Sequence, residues 1–324
     1  MSGTKYADKM RALLLVNPKA TATNPRTRDV LIRALGAAVD LTVEETHYRG
    51  HAAHLAMSAQ AKGYDTVAVL GGDGTINETV NGLLAEGVSS DVPALAVIPG
   101  GSANVFVRAL GLPGDPIEAT GAILEAIRAG GRRTIGLGRA RWGTGSESSE
   151  RYFTFSAGMG YDAEVIRAVE GLRSAGYRAT PTLYVSAALR HYFMTDRRNP
   201  GLTIGRPDKP PVEGVYLVIV SNTSPWTYLG SRPVYPTPWA TFETGIDLLG
   251  LRKLRLATLL NLIRQILGER AALPAGRHIV QAHNQGEFTL RARRPMAFQL
   301  DGDYIGEQES VTFQAIPDAI NVIV

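Results

Sequence analysis

At 324 residues the chain is long enough for about two domains of ordinary size, and its 44% apolar and 20% charged residues exclude a disordered or fibrous protein. The absence of cysteine removes disulfides, thiolate metal sites, cysteine nucleophiles and thiol redox chemistry, and is compatible with a reducing cytoplasm. A formal net charge of +4 favours anionic partners, such as nucleotides or acidic lipid surfaces, without choosing among them.

Near the N-terminus the apolar run Leu13, Leu14, Leu15, Val16 stops at Asn17-Pro18, too short for a signal h-region. No window reaches the roughly 18 to 20 apolar residues of a spanning helix, so membrane contact is expected to be peripheral. From residue 10 to about 130, β-branched runs at 12–16, 41–45, 66–70 and 94–98 alternate with helical patterns near 26–38, 51–62, 76–85, 103–110 and 116–129. That alternation predicts an α/β domain with a parallel sheet. Beyond Gly130-Gly131 short alternating segments at 152–156, 215–221, 288–292, 297–300 and 310–315 predict a mostly-β second half. Residues 143–150 read as a turn, and the Pro/Gly-rich stretch 199–214 as a connection.

The strongest motif follows the third predicted strand. Val67-Ala68-Val69-Leu70 runs into Gly71-Gly72-Asp73-Gly74-Thr75 and then a helical pattern from Ile76 through Asn77 and Glu78. Glycines that permit positive φ or close backbone approach, placed before a helix N-terminus, make an anion site whose natural guest is a phosphate. A carboxylate there, Asp73, repels phosphate unless it holds Mg²⁺, orients a donor or accepts a proton. The plainer alternative is that Asp73 and Thr75 cap the helix. A second strand-to-helix turn, Pro99-Gly100-Gly101-Ser102-Ala103-Asn104, repeats the logic, so two such turns on neighbouring strands are expected to converge on one crevice.

Other signatures fall away. No P-loop or nucleophile elbow is present, Gly158-Met159-Gly160-Tyr161 lacks a surrounding βαβ unit, and His51 with His54 reads as surface histidine rather than zinc ligand. Residues 248–270 read as a basic amphipathic helix, with Leu256, Leu259, Leu260, Ile263 and Leu267 at helical spacing among Arg252, Lys253, Arg255, Arg264 and Arg270. A core-facing helix with a solvated basic side is its plainer alternative.

Together, Gly71-Gly72-Asp73-Gly74-Thr75 continuing as Ile76-Asn77-Glu78-Thr79-Val80-Asn81-Gly82-Leu83, and the later Ile98-Pro99-Gly100-Gly101-Ser102-Ala103-Asn104, resemble the diacylglycerol kinase catalytic-domain family, which includes sphingosine kinases and bacterial soluble lipid kinases. Val16-Asn17-Pro18, Gly158 to Val165, Pro238-Trp239-Ala240 leading to Gly245-Ile246-Asp247, and Leu300-Asp301-Gly302-Asp303 extend the resemblance along most of the chain.

The resemblance implies a phosphofructokinase- and NAD-kinase-like α/β nucleotide-binding domain over 1–135. It implies a β-sandwich lipid-substrate domain over 136–324, whose last segment can return to the first, with ATP·Mg²⁺ in the cleft between domains. It further implies that Gly71, Gly72, Asp73, Gly74 and Thr75 cradle ATP phosphates, that Asn77 and Glu78 support that loop, and that Asn17, Gly100, Gly101, Ser102 and Asn104 line the nucleotide side. Asp301 competes with Asp73 as general base and Asp303 stands where the family has Glu. Sequence alone reads 301–303 as an acidic turn.

The partners so implied are a lipid substrate and an anionic membrane surface met peripherally from the cytoplasm, with a homodimer as a further expectation and no nucleic acid. Acceptor selectivity is also expected at 172–190, around Tyr184. Two departures stand out: no glycine follows Asn17-Pro18-Lys19-Ala20, and Gly136 replaces an acidic residue common in the family. A weak nucleotide- or lipid-binding regulator and a kinase for a soluble acceptor stay open beside the lipid kinase.

Overall fold

The computed structural model describes residues 9–20, 24–161, 163–164, 167–168, 171, 200–229, 232–268 and 272–324. Residues 172–190, Asp162, Val165, Asn199 and Arg270 lie outside the described residues. The chain forms two compact units, one of residues 1–135 with 319–324 and the other of 136–318.

The first unit runs β1 (Arg11–Val16), α1 (Pro25–Ala38), β2 (Asp40–Glu45), α2 (His51–Met57), β3 (Thr66–Gly71), α3 (Asp73–Leu83), β4 (Ala94–Pro99), α4 (Val105–Ala109) and α5 (Pro116–Ala129). Its strands pair in parallel in the order β2-β1-β3-β4. Every residue of β3 and β4 is buried, as expected of strands covered on both faces. Burying Val67, Val69 and Leu70 stabilises by about 1.5 to 3 kcal/mol each. Helix starts follow local chemistry. Asn24 accepts from the Thr27 N–H ahead of Pro25, and Asp115 accepts from Ile117 and Glu118 ahead of Pro116.

The chain leaves this unit along β5 (Arg133–Trp142) and returns at the end of β16 (Asp303–Val322), where Val322 pairs with Leu95 and the Ile323 N–H donates to Leu95 O. Between lie β6 (Ser149–Phe153), β7 (Ser156–Gly160), β8 (Leu202–Arg206), β9 (Lys209–Val215), β10 (Leu217–Ser221), β11 (Thr227–Leu229), β12 (Arg232–Val234), β13 (Ile246–Leu251), α6 (Leu256–Ile266), β14 (Ile279–Gln285) and β15 (Glu287–Leu300).

The second unit is mostly β. Strands β14-β13-β10-β7 pair antiparallel, β15 joins β7 through residues 298–300, and at 289–292 β15 pairs instead with β8. Met159, Val218, Val220, Ile246 and Leu248 share one core with Leu202, Ile204, Phe288, Leu290 and Phe313, so two strand groups bury inward faces together as in a sandwich. The opposite face of β10 and β13, with Leu217, Ile219, Leu249 and Leu251, is covered by Leu259, Leu262 and Ile266 of α6. Both strands are therefore buried throughout.

Stretch 199–214 corrects its reading as a connection. It contains the β8–β9 hairpin, and Pro210-Pro211 are tolerated because, among the described residues, β9 pairs only with β8. The segments near 288 and 297 are likewise one strand, interrupted by a register shift between Arg291 and Met296 where Pro295 falls.

Helices α2 and α3 meet at Gly82, where an added Cβ would lie 2.2 Å from Ala53 O. Gly82→Ala is expected to cost about 1 to 3 kcal/mol, read as a lowered urea midpoint with an unchanged slope. An unchanged midpoint would show that the helices separate freely.

Candidate active site

In the first unit the site is built where the sheet order reverses. β1 has β2 on one side and β3 on the other, the topological switch point at which open α/β sheets bind ligands beyond their strand ends. Asn17 follows β1 and Gly71 ends β3. The Asn17 Nδ2 donates to Thr75 Oγ1 at 3.0 Å, and its Oδ1 accepts from the Lys19 N–H at 2.9 Å. The first loop is thus folded onto the start of α3 although the family's glycine is missing from it.

The two glycine turns converge. Gly71 is in register with Pro99, the Gly100 N–H donates to Gly71 O at 2.8 Å, and a Cβ on Gly101 would lie 2.8 Å from Gly72 Cα. A Cβ on Gly100 would lie 2.9 Å from Gly71 Cα. These glycines serve close backbone approach. Positive φ, the other permission considered from sequence, is used at none of Gly71, Gly72, Gly74, Gly100 or Gly101. The left-handed residue of the pair is Asn104 (φ 47), whose side chain accepts from the Gly101 N–H and donates to Gly101 O, both at 2.9 Å. Gly74 differs from its neighbours, because a Cβ there would meet nothing within 4 Å. No contact within the chain demands a glycine at that position.

Helix α3 opens with Gly72 as N-cap and no side-chain cap, so its first-turn backbone donors face the loop. Asp73 does not cap its own helix. Its two oxygens accept from the Val105 and Phe106 N–H groups at 3.1 Å each, capping α4 from a distance. Ser102 is exposed beside these turns.

Asn77 and Glu78, expected to support that loop, are held in contacts of the helices. Asn77 is fully buried, with Asn81 Nδ2 donating to its carbonyl and its side-chain oxygen, and Glu78 accepts from the Gly50 N–H at 2.8 Å, closing the start of α2.

In the second unit, Asp301 and Gly302 form the two-residue turn between β15 and β16, with φ 48 and 81 and Leu300 paired to Asp303. This is the Asp-Gly hairpin turn with both central residues left-handed. Asp301 is buried. Oδ2 accepts from Thr154 N–H (2.6 Å) and Oγ1 (2.8 Å), and Oδ1 from Phe155 N–H (3.0 Å) and Ser156 N–H (2.9 Å). Burial pushes this carboxyl upward, and the Thr154, Ser156 and Phe155 N–H groups with the Thr154 hydroxyl pull against it. Its acceptor positions are taken up holding the link between β6 and β7. Asp303 is partly exposed, with Arg151 Nη2 at 3.3 Å.

The Gly136 departure has a packing cause. A Cβ there would lie 2.7 Å from Phe242 O, while the Gly136 carbonyl accepts from Asn222 Nδ2. No side chain, acidic or otherwise, fits without moving the turn at Phe242.

Sequence reasoning missed one polar centre. Buried Asp247 in β13 has both oxygens 2.9 Å from His283 Nδ1, and its Oδ1 accepts from the Asn284 N–H at 2.8 Å. Burial raises this carboxyl, opposed by Asn284 and His283. An ionised Asp247 sets the proton on Nδ1 and orients a half-exposed imidazole against the edge of Trp239. Asp247 lies in the Gly245-Ile246-Asp247 segment that carries part of the family resemblance, but no local pattern links it to a histidine 36 positions later.

Residues 11–140 match the diacylglycerol kinase catalytic domain, a span that holds both glycine turns, Asn17 and Asp73. The match lies almost wholly within the N-terminal unit. Relatives of this kinase-type domain include "Probable lipid kinase YegS-like" of Chromohalobacter salexigens, 41% identical over 112 residues (35% of each chain), and the diacylglycerol kinase of Bacillus subtilis, 34% identical over 120 residues (36% of this chain, 39% of that one). The matched stretches therefore span little more than a third of those relatives' length.

In fold, the chain is similar to a diacylglycerol kinase of Bacillus anthracis (TM-score 0.69, 20% identity, 98% of this chain and 97% of that one). It is also similar to yeast NADH kinase (TM-score 0.51, 10% identity, 97% and 83%). The kinase-type domain and the mostly-β unit are thus both accounted for by known architecture.

Asp301→Asn replaces one acceptor by a donor and leaves at least one buried N–H facing an amide NH₂. An expected loss of about 2 to 3 kcal/mol is to be read from denaturant unfolding. A loss below about 0.5 kcal/mol would remove Asp301 as an anchor of the turn.

Proposed function

We propose that the chain is an ATP-dependent lipid kinase that transfers the γ-phosphate to the hydroxyl of diacylglycerol or a related long-chain alcohol, acting in the cytoplasm at a membrane surface. The observation that carries this reading is the convergence of the two glycine turns at the switch point, with an uncapped α3 start above them. It is supported by the family match over the same residues.

The Gly74 and Thr75 N–H groups and the Asn17–Thr75 pair receive the phosphates, aided by the positive end of α3. Gly74 leaves the space that the phosphates fill. Ser102 supplies a hydroxyl on the nucleotide side. Among the described residues no group of three or more His, Asp or Glu side chains clusters as a metal cage. Mg²⁺ is ordinarily held by substrate phosphates, water and one or two carboxylates. Asp73 is the carboxylate at this loop, and Mg²⁺ bound there with ATP would offset charge on the transferred group.

Phosphoryl transfer has a loose transition state that asks mainly for positioning and charge neutralisation, with little deprotonation of the alcohol until late. Asp73 therefore does two things in this reading: it joins the start of α3 to the start of α4, and it presents negative charge to the metal on the phosphates. Asp303, which is more open than Asp301, is the acidic-turn residue that this reading assigns to the acceptor.

The decisive test is labelled ATP with Mg²⁺ and mixed micelles of total cellular lipid. A labelled lipid is expected with the wild type and its loss, by at least a hundredfold, with Asp73→Asn. Label appearing only in a soluble product would transfer the reading to a soluble acceptor.

Gly74→Val offers a sharper test of the loop. Because nothing in the chain occupies that space, stability should stay within about 0.5 kcal/mol of wild type, while ATP binding followed by calorimetry weakens at least tenfold. Unchanged affinity would place the phosphates elsewhere.

A further inference from the structure

Helix α6 carries a broad apolar arc, and the fold buries one side of it. Leu259, Leu262 and Ile266 pack on the β10–β13 face. Leu256, Leu260 and Ile263, at spacings of four and three, stand 53%, 56% and 38% exposed. A surface helix normally shows water a polar stripe opposite its buried one, so this second stripe is unexplained by packing within the chain.

The charges around it are equally one-sided. Residues 248–268 contain Arg252, Lys253, Arg255 and Arg264 and no Asp or Glu. Arg252, Lys253 and Arg255 are all exposed, and with Arg277 they crowd His278, whose proton affinity is lowered by burial and then by Lys253, Arg277, Arg255 and Arg252. None of these cations is paired with a carboxylate among the described residues. Moreover, three of them stand at the N-terminal end of α6, with Arg255 itself the N-cap and no side-chain cap bond. Cations at the positive end of a helix oppose its dipole, where Asp or Glu would stabilise it. The fold thus accepts an electrostatic cost that no carboxylate among the described residues offsets.

We infer that this face docks on an anionic bilayer, with Leu256, Leu260 and Ile263 entering the acyl boundary while Arg252, Lys253, Arg255, Arg264 and Arg277 meet lipid phosphates. An exposed apolar stripe bordered by unpaired cations is the pattern of an interfacial amphipathic helix. A second copy of this chain would bring the same cations against themselves, which charge complementarity disfavours. The inference rests on the lipid-kinase reading for its purpose, and its test needs no turnover.

The full chain, without nucleotide, is to be sedimented with phosphatidylcholine vesicles that contain or lack phosphatidylglycerol. Binding is expected on the anionic vesicles alone, falling steeply with salt. Arg252→Gln/Lys253→Gln/Arg255→Gln is expected to weaken it about a hundredfold, and Leu256→Ser/Leu260→Ser/Ile263→Ser at least tenfold, each with an unchanged thermal transition.

Binding that ignores lipid charge, or that survives both sets of substitutions, would overturn the inference. So would a dimer in solution that Leu260→Asp dissociates while vesicles bind nothing, because the face would then belong to a second copy. Vesicle binding without any phosphorylated lipid leaves the docking face standing and removes the kinase reading instead.

Discussion

The first unit depends on the contact of backbone with backbone at the ends of β3 and β4. With Gly71 against Gly100 and Gly72 against Gly101, two neighbouring strand-to-helix turns approach more closely than any residue bearing a Cβ permits. Once they touch, the starts of α3 and α4 come together, and Asp73 can reach across to the Val105 and Phe106 N–H groups. The residue that most invites a chemical reading is thereby also part of the frame. Loss of its charge disturbs the start of α4 as well as the phosphate loop, which is why the neighbouring Gly74, free of any such duty, is the cleaner probe of ligand contact.

Much of this was legible in sequence because it is local. Alternating apolar runs and helical patterns, glycines directly after buried strands, and proline at helix starts are short-range signals, and they place β1, β3, β4, α1, α3 and α5 within a few residues. What escaped was long-range. Nothing near Asp73 shows that its partner is α4, 32 positions on. Nothing near Asn77 shows that the next turn of α3 buries it. The Pro210-Pro211 strand failed for a related reason, since proline argues against a strand unless the strand lies at an edge, and edges are decided by pairing.

The second unit shows the same division. Its β character follows from alternation, but β10 and β13 do not alternate, because α6 covers the face that would otherwise be wet. The core-facing reading of α6 holds for Leu259, Leu262 and Ile266, while Leu256, Leu260 and Ile263 are left exposed beside them. The pairing of Asp247 with His283 needed β13 and β14 side by side with a bulge between Ile246 and Leu248, a register that composition does not encode.

The return of the chain at residues 319–324 bears on engineering. Val322 and Ile323 lie beside Leu95, and Thr134 Oγ1 shares a hydrogen bond with the Asn321 side chain at 2.7 Å, so the sheet of the first unit is completed by its most distant segment in sequence. A contiguous piece ending near residue 135 would expose the edge of β4 that this segment covers, an invitation to pairing between molecules. The phosphate-loop half is therefore not a cassette that can be lifted out and fused elsewhere. In chain order, residues 136–318 are an insertion into the first unit, and the two stretches that enclose them belong to one sheet.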